Sequence, residues 1–353
     1  MEAEMDRISR IISTDAYAAR AAHTQWNSIA KPLGSLGRLE TAIEKIAAVQ
    51  GCADVKLNNR QVVVMCADNG VVCEGITQSD STVTAICAAA IAEGTSNINC
   101  MAEAFGAKVT AVDAGMNCDV DHPRLLRKKT AYGTKNIASG AAMHISEAEQ
   151  AISYGMDIVR DLKQTGTDII VTGEMGIGNT TTSAAIASVL LGMPPRTVTG
   201  RGAGLDGAGL ERKISVIEKA IAVNKPDADK PVELLAKLGG FDLAGITGLF
   251  LGGAVYHIPI VIDGMISAAA ALLASKIHPL AREYMLASHT SGEPAGRLLL
   301  EKLRLSPLIQ AEMRLGEGTG GILLLPLLDG ALSVYRHSHR FENLPMERYV
   351  ELK

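Results

Sequence analysis

The sequence predicts an α/β protein in which a parallel sheet is buried between layers of helices, with a small helical appendage. Three observations lead there. Short β-branched runs recur along the chain, each followed by an Ala-rich stretch of helical character. The runs are continuously apolar rather than alternating, as expected of strands covered on both faces. The apolar share, 47%, is mostly Ala, Val, Ile and Leu, with only four Phe and one Trp; such composition suits strands under helices better than an aromatic-filled barrel. A chain of 353 residues exceeds the usual ceiling for one core. A large domain over 31–329 and a small helical one built from 1–30 and 330–353 are therefore expected.

Residues 7–50 read as helical. Ile8, Ile11 and Ile12, then Leu39, Ile43, Ile46 and Ala47, recur at helical spacing, broken by the Pro/Gly-punctuated stretch Lys31 to Arg38. Four strands follow. Gln61–Ala67 ends at Asp68, Lys108–Val112 at Asp113, Asp168–Thr172 at Gly173-Glu174, and Ile258–Ile262 at Asp263. Tyr284–His289 and Gly321–Leu325 are two weaker strand candidates. Ligands of such sheets bind beyond the carboxyl ends of the strands. Asp68, Asp113, Glu174, Asp263 and Ser288-His289 should then form a polar ring at one sheet edge. From about Asp329 the tail turns charged, and it is expected to pack with the N-terminal helices.

Several function classes drop out. The net charge is −4 with both signs interspersed, which is no nucleic-acid footprint. Six cysteines lie in the first third without a Cys-x-x-Cys pair, so zinc-knuckle and thioredoxin readings fail on spacing. They are expected as small buried hydrophobes in a reducing compartment. The N-terminus is acidic and lacks a signal-peptide pattern. The most apolar run, Ile258 to Leu273, is interrupted by Asp263 and Gly264 and is too short to span a bilayer. A cytoplasmic location without membrane or nucleic-acid partners is expected. His337 and His339 stand in the charged tail without further metal ligands nearby and read as solvated.

Three glycine-rich segments carry the chemistry. Gly173 to Ser183 follows a strand and precedes an Ala-rich helix. Glycines let backbone amides approach an anion, and a helix start offers unpaired N–H groups and a favourable dipole. Gly176, Ile177, Gly178, Asn179, Thr180 and Thr181 are thus candidates to cradle a phosphate, although a tight β–α turn would look similar. The segment is neither a P-loop nor the dinucleotide fingerprint, since its order is Gly-x-x-Gly-x-Gly. The second cluster contains Gly202, Ala203 and Gly204 and precedes a helix bearing Lys213; it reads either as a surface loop or as a second hand on the same phosphate. In the third, Glu317 is flanked by glycines in an apolar stretch. A carboxylate removed from water holds a proton more tightly, which suits a general base. Ser291 and Gly292, in a Ser-rich turn after another strand, read as a pocket element or a helix cap.

Together these segments resemble the nicotinate-nucleotide–dimethylbenzimidazole phosphoribosyltransferase family. The resemblance runs nearly end to end, through Lys31-Pro32-Leu33-Gly34-Ser35-Leu36-Gly37, Ala67-Asp68-Asn69-Gly70-Val71, Gly133-Thr134-Lys135-Asn136-Ile137, and the glycine-rich segments at 173–181, 200–204 and 315–320. It implies a Rossmann-like parallel sheet with a small helical domain, in a dimer. The implied reaction moves the phosphoribosyl group of nicotinate mononucleotide onto an aromatic base, giving an α-riboside phosphate and nicotinate for cobamide synthesis. The resemblance makes Glu317 the base and matches Glu174 and Lys213 to active-site positions. Loops 176–181 and 202–204 would hold phosphate and ribose, with Asp263, Ser291 and Gly292 also binding substrate. Neither cofactor nor metal is called for. Few aromatics imply an acceptor slot walled by Met175 and Leu315.

One segment departs from the family pattern. Where the family shows a Pro-Gln-Glu-Val-Thr-x-Gln-Met-type stretch lining the benzimidazole site, this chain reads Asp80 to Cys87, with Ile86 in place of an amide; the family's Asp-His-Gly becomes Asp68-Asn69-Gly70. Removing polar partners weakens selection for an acceptor that needs them. The acceptor is thus expected to be either a benzimidazole-type base or phenol and p-cresol, which heterodimeric members of the family use. The dimer is correspondingly homomeric or formed with a paralogous subunit. A nicotinamide-dependent oxidoreductase, or a non-catalytic partner subunit, are the rival readings; the first lacks its Gly-x-Gly-x-x-Gly turn and the second is at odds with the retained Glu317.

Overall fold

The computed structural model describes residues 6–350; residues 1–5 and 351–353, the outer ends of the two terminal segments, lie outside the described residues. Six parallel strands form the central sheet: β1 (Arg60–Ala67), β2 (Ala107–Gly115), β3 (Leu126–Arg127), β4 (Ile169–Met175), β5 (Ile260–Ile262) and β6 (Met285–Ala287). Their spatial order is β3-β2-β1-β4-β5-β6. The chain winds outward from β1 in one direction and from β4 in the other, so a crevice opens where these two strands part. Val64 pairs with both Ala111 and Gly173.

Burial alternates along each strand between two apolar clusters. In β1, Val62, Val64 and Cys66 enter one cluster while Val63, Met65 and Ala67 enter the other. This is the period of two that a strand imposes, with apolar residues required at both phases because both faces are covered. Four helices supply the first face: α1 (Ala16–Ser28), α2 (Arg38–Gln50), α3 (Thr82–Glu93) and α4 (Asn97–Ala104). The second face takes α5 (Ile145–Gln164), α6 (Asn179–Leu191), α7 (Gly207–Asn224), α8 (Pro231–Leu238), α9 (Phe241–Tyr256), α10 (Met265–Ile277) and α11 (Pro294–Leu303). The chain then returns to the first face as α12 (Leu324–His337).

Helix α9 is buried from Phe241 to Ala254 and meets α5 backbone to backbone. A Cβ on Gly155 would stand 2.1 Å from the Gly245 carbonyl oxygen, and one on Gly248 would stand 2.0 Å from that of Ile152. Only glycine permits this approach, which presses α9 onto the sheet and fixes where its first residues meet the end of β4. The terminal segments pack together: the Trp26 and Tyr335 rings lie 4.9 Å apart, and the Ala30 amide donates to the His339 carbonyl at 2.9 Å. Their apolar side chains join the same buried cluster as Val62 and Val64.

The structure corrects several expectations. Gly321–Leu325 is helical, a single turn at Thr319–Ile322 running into α12; a short fully buried apolar run has no periodicity to separate strand from helix. Ile11 and Ile12 lie outside any helix, although Ile11 is buried. The run Tyr284–His289 yields only β6, its last residue leaving the sheet to pair with Ile309. All six cysteines are free thiols, but only Cys66 is buried; Cys52, Cys73, Cys100 and Cys118 are exposed on turns and outer helix faces. No helix among the described residues is long and apolar enough to cross a membrane.

Trp26 is wholly buried. Replacing it with Ala is expected to cost about 3–5 kcal/mol, read as a lowered urea midpoint by circular dichroism with an unchanged m-value.

Candidate active site

The polar strand ends do not all serve one site. Asp68 accepts from the Asn117 amide at 2.8 Å, and Asp113 accepts from the Met116 amide at 3.0 Å while facing Lys129 at 3.3 Å. These two acids therefore fasten the loop after β2 and leave the expected ring. Ser288 also turns inward, donating to the Ile262 carbonyl at 2.6 Å. Glu174, Asp263 and His289 do reach a cleft at the carboxyl edge of β4, β5 and β6.

One wall of that cleft is the turn after β4. Gly178, with φ 93°, starts α6 at the cleft; the Asn179 and Thr181 amides of the first turn bond back to the Gly176 and Gly178 carbonyls at 3.1 and 2.9 Å. Met175, Gly176, Ile177, Gly178, Asn179 and Thr180 all line it, whereas Thr181 is buried beneath. Opposite stand Gly202 and Ala203; Gly204 lies outside, its carbonyl accepting from Gln78. Lys213, wholly buried on α7, donates to the Thr180 hydroxyl at 2.7 Å. Burial pulls its pKa down to about 8, opposed by the charge of Glu293. Ser291 and Leu315 complete the rim, while Gly292 is set back, its amide bonded to the Met313 carbonyl at 2.8 Å.

The floor is acidic. The side-chain amide of Asn179 donates to Glu174 and, at 3.1 Å, to Asp242. Burial, then the nearby Asp242 charge, holds the Glu174 carboxyl protonated well above the usual carboxylate range. Burial raises Asp242 to about 6. Asp263 is pushed up by burial and pulled down by His289, and His289 is pushed down by burial.

Glu317 does not line the cleft; it sits against the start of α4. One carboxylate oxygen accepts from the Ile98 amide at 3.2 Å and the other from the Asn97 side chain at 3.4 Å. Its own amide donates to the Glu174 carbonyl at 3.2 Å. A Cβ on Gly173 would stand 2.5 Å from the Glu317 carbonyl oxygen, so a glycine in β4 admits the loop. Glu317, with φ 63°, is only 9% exposed and lies one residue beyond the cleft-lining Gly316. Burial and the Glu317 charge both raise the thiol of Cys87 on α3. Ile86, by contrast, is 65% exposed and outside the cleft; helical phase turns Cys87, not Ile86, toward Glu317.

Two functional candidates are not singled out by the sequence. Asp242 is a lone acid in an otherwise apolar helix, a signal of a buried charge with a task. Glu293 directly follows the Ser291-Gly292 turn, where it reads as an ordinary helix-start acid.

The family model described as phosphoribosyltransferase matches residues 11–344. A Ruminiclostridium cellulolyticum protein named nicotinate-nucleotide–dimethylbenzimidazole phosphoribosyltransferase is 42% identical over 99% of both chains. The chain belongs to the nicotinate-nucleotide–dimethylbenzimidazole phosphoribosyltransferase family. A relative of the same name from Acetivibrio thermocellus is 44% identical over 92% of each chain. The crystal structure of CobT from Thermus thermophilus superposes with a TM-score of 0.89 at 38% identity, covering 94% of this chain and all of that one. The family's fold thus extends through the sheet, both helical layers and the terminal helices.

Since Glu174 takes up its proton far above the range of an unfolded carboxyl, its ionisation opposes folding at high pH. Glu174→Gln is expected to raise the urea midpoint at pH 8, with the gain fading as pH falls toward 4.5, below which Glu174 is neutral in both folded and unfolded chains.

Proposed function

We propose that this protein transfers the phosphoribosyl group of nicotinate mononucleotide to an aromatic lower-ligand base, giving an α-riboside phosphate and nicotinate. The observation that carries the reading is the junction at β4, where the turn opening α6, with Lys213 bonded to its Thr180, lies directly beside the loop that carries Glu317. The start of α6 and Lys213 hold the phosphate, with Gly202, Ala203 and Ser291 beside the ribose. Asp263 and Glu174 stand beneath the pyridinium and the anomeric carbon, where positive charge passes from ring to sugar as nicotinate leaves.

Attack opposite the departing nicotinate inverts β to α in one displacement, so no covalent enzyme intermediate forms. The acceptor loses a proton as its bond to the anomeric carbon forms, and Glu317 takes it. The carboxylate is held for this by the Ile98 amide and the Asn97 side chain. The acceptor enters past Leu315, which is 56% exposed at the cleft rim, with Met175 on the inner side. On α3 the Glu317 charge acts on a thiol, Cys87, rather than an amide; a phenol, which needs only one hydroxyl presented to Glu317, fits this neighbourhood as well as a benzimidazole does. The reading includes a dimer, homomeric or with a paralogous subunit, and treats 1–30 with 330–353 as a small helical unit beside the catalytic body of 31–329.

Glu317→Gln is expected to lower turnover by about 100- to 10,000-fold while nicotinate mononucleotide still binds by calorimetry; unchanged turnover removes Glu317 as the base. Benzimidazole and phenol acceptors, assayed separately with the nucleotide, decide between the two acceptor classes. For the nucleotide, kcat/KM is expected to fall as pH rises through about 8, where free Lys213 loses its charge; Lys213→Met should abolish that limb.

A further inference from the structure

Glu293 begins α11 but does not spend its side chain on capping it. The residue is 8% exposed and lines the cleft. Its Oε1 accepts from the Gly202 amide at 3.0 Å. Its Oε2 is buried with no hydrogen-bond partner among the described residues. A buried acceptor left unmet is costly, so this oxygen is placed for a donor that arrives with a ligand.

The neighbours define that donor. Oε2 lies over Gly200, where an added Cβ would come within 2.1 Å of it. Lys213 is near enough for the Glu293 charge to act on it, yet its ammonium is bonded to Thr180 and forms no ion pair with Glu293 among the described residues. The two charges thus keep separate vacancies. An ammonium suits a phosphate; a carboxylate beside it repels one and accepts only from a hydroxyl or N–H. In a phosphorylated sugar the hydroxyls lie a few bonds from the phosphate, which matches an acceptor set beside a phosphate-binding lysine.

We propose that Glu293 is the ribose-binding residue of this site: its Oε2 accepts a hydrogen bond from a hydroxyl of the ribose 2′,3′-diol, and this interaction selects ribonucleotides over deoxyribonucleotides. Its Oε1 meanwhile ties the 200–204 loop to the same carboxylate, so sugar recognition and loop position are coupled through one side chain. The inference rests on the nucleotide-binding reading above and deepens it.

Calorimetric titration of the full chain with nicotinate mononucleotide and its 2′-deoxy and 3′-deoxy analogues tests it. The wild type is expected to bind at least one deoxy analogue about 10- to 100-fold more weakly, the contribution of one hydrogen bond to a charged group. In Glu293→Gln the remaining carbonyl oxygen still serves the Gly202 amide while the carboxylate acceptor is lost. That variant should weaken the ribonucleotide by a similar factor and leave the discriminated analogue nearly unaffected. Equal affinity of the wild type for all three ligands overturns the assignment, as does a variant that weakens all three alike, which marks a loop-holding role only. Failure of the wild type to bind any of them overturns the nucleotide reading and this assignment with it; binding without discrimination overturns this assignment alone.

Discussion

The site depends on one backbone approach, the loop 316–318 laid against Gly173 of β4. The Glu317 amide bonds to the Glu174 carbonyl, and the Glu317 carbonyl lies where a side chain on residue 173 would otherwise be. β4 therefore carries Glu174 and the glycine-rich turn on its own continuation and Glu317 on a loop docked to its flank. Interiors are close-packed and deform little, so a side chain at 173 would have to displace the loop, and with it the carboxylate that faces α4.

Around that contact the charges are unevenly distributed. Glu174, Asp242 and Asp263 lie below the cleft, and Lys213, buried on α7, is bonded to Thr180. Glu174 and Asp242 have no cation bonded to them among the described residues, and buried carboxyls so placed hold protons or await a positive ligand. In a pyridinium nucleotide the phosphate end is anionic and the ring end cationic, so the electrostatics of the cleft run in the same direction as the substrate of the proposed reaction. Asn179 keeps the two closest acids apart, with both amide hydrogens committed, one to each.

The alternation of strand and helix was legible because strands buried on both faces carry unbroken apolar runs, and β1, β2, β4 and β5 all do. Gly321–Leu325 misled for the same reason, since its burial as a helix leaves the same apolar signature. Polar residues at strand ends were legible as a group but not individually. Asp68 and Asp113 have the same sequence context as Asp263, yet Asp68 and Asp113 face the loop after β2 and accept its amides. Ile86 and Cys87 are likewise adjacent in sequence, and only the docking of α3 determines which one meets Glu317.

By itself the sequence determined the fold class, the family and the glycine-rich segments that line the cleft, because these follow from local periodicity and from glycines whose backbone freedom has no substitute. The tertiary structure decided which polar groups share a space: that Glu293 closes on Gly202, that Asp242 underlies Glu174 through Asn179, and that Glu317 is held by α4. Those pairings join residues tens to hundreds of positions apart. They depend on strand order and helix docking, which local pattern does not encode.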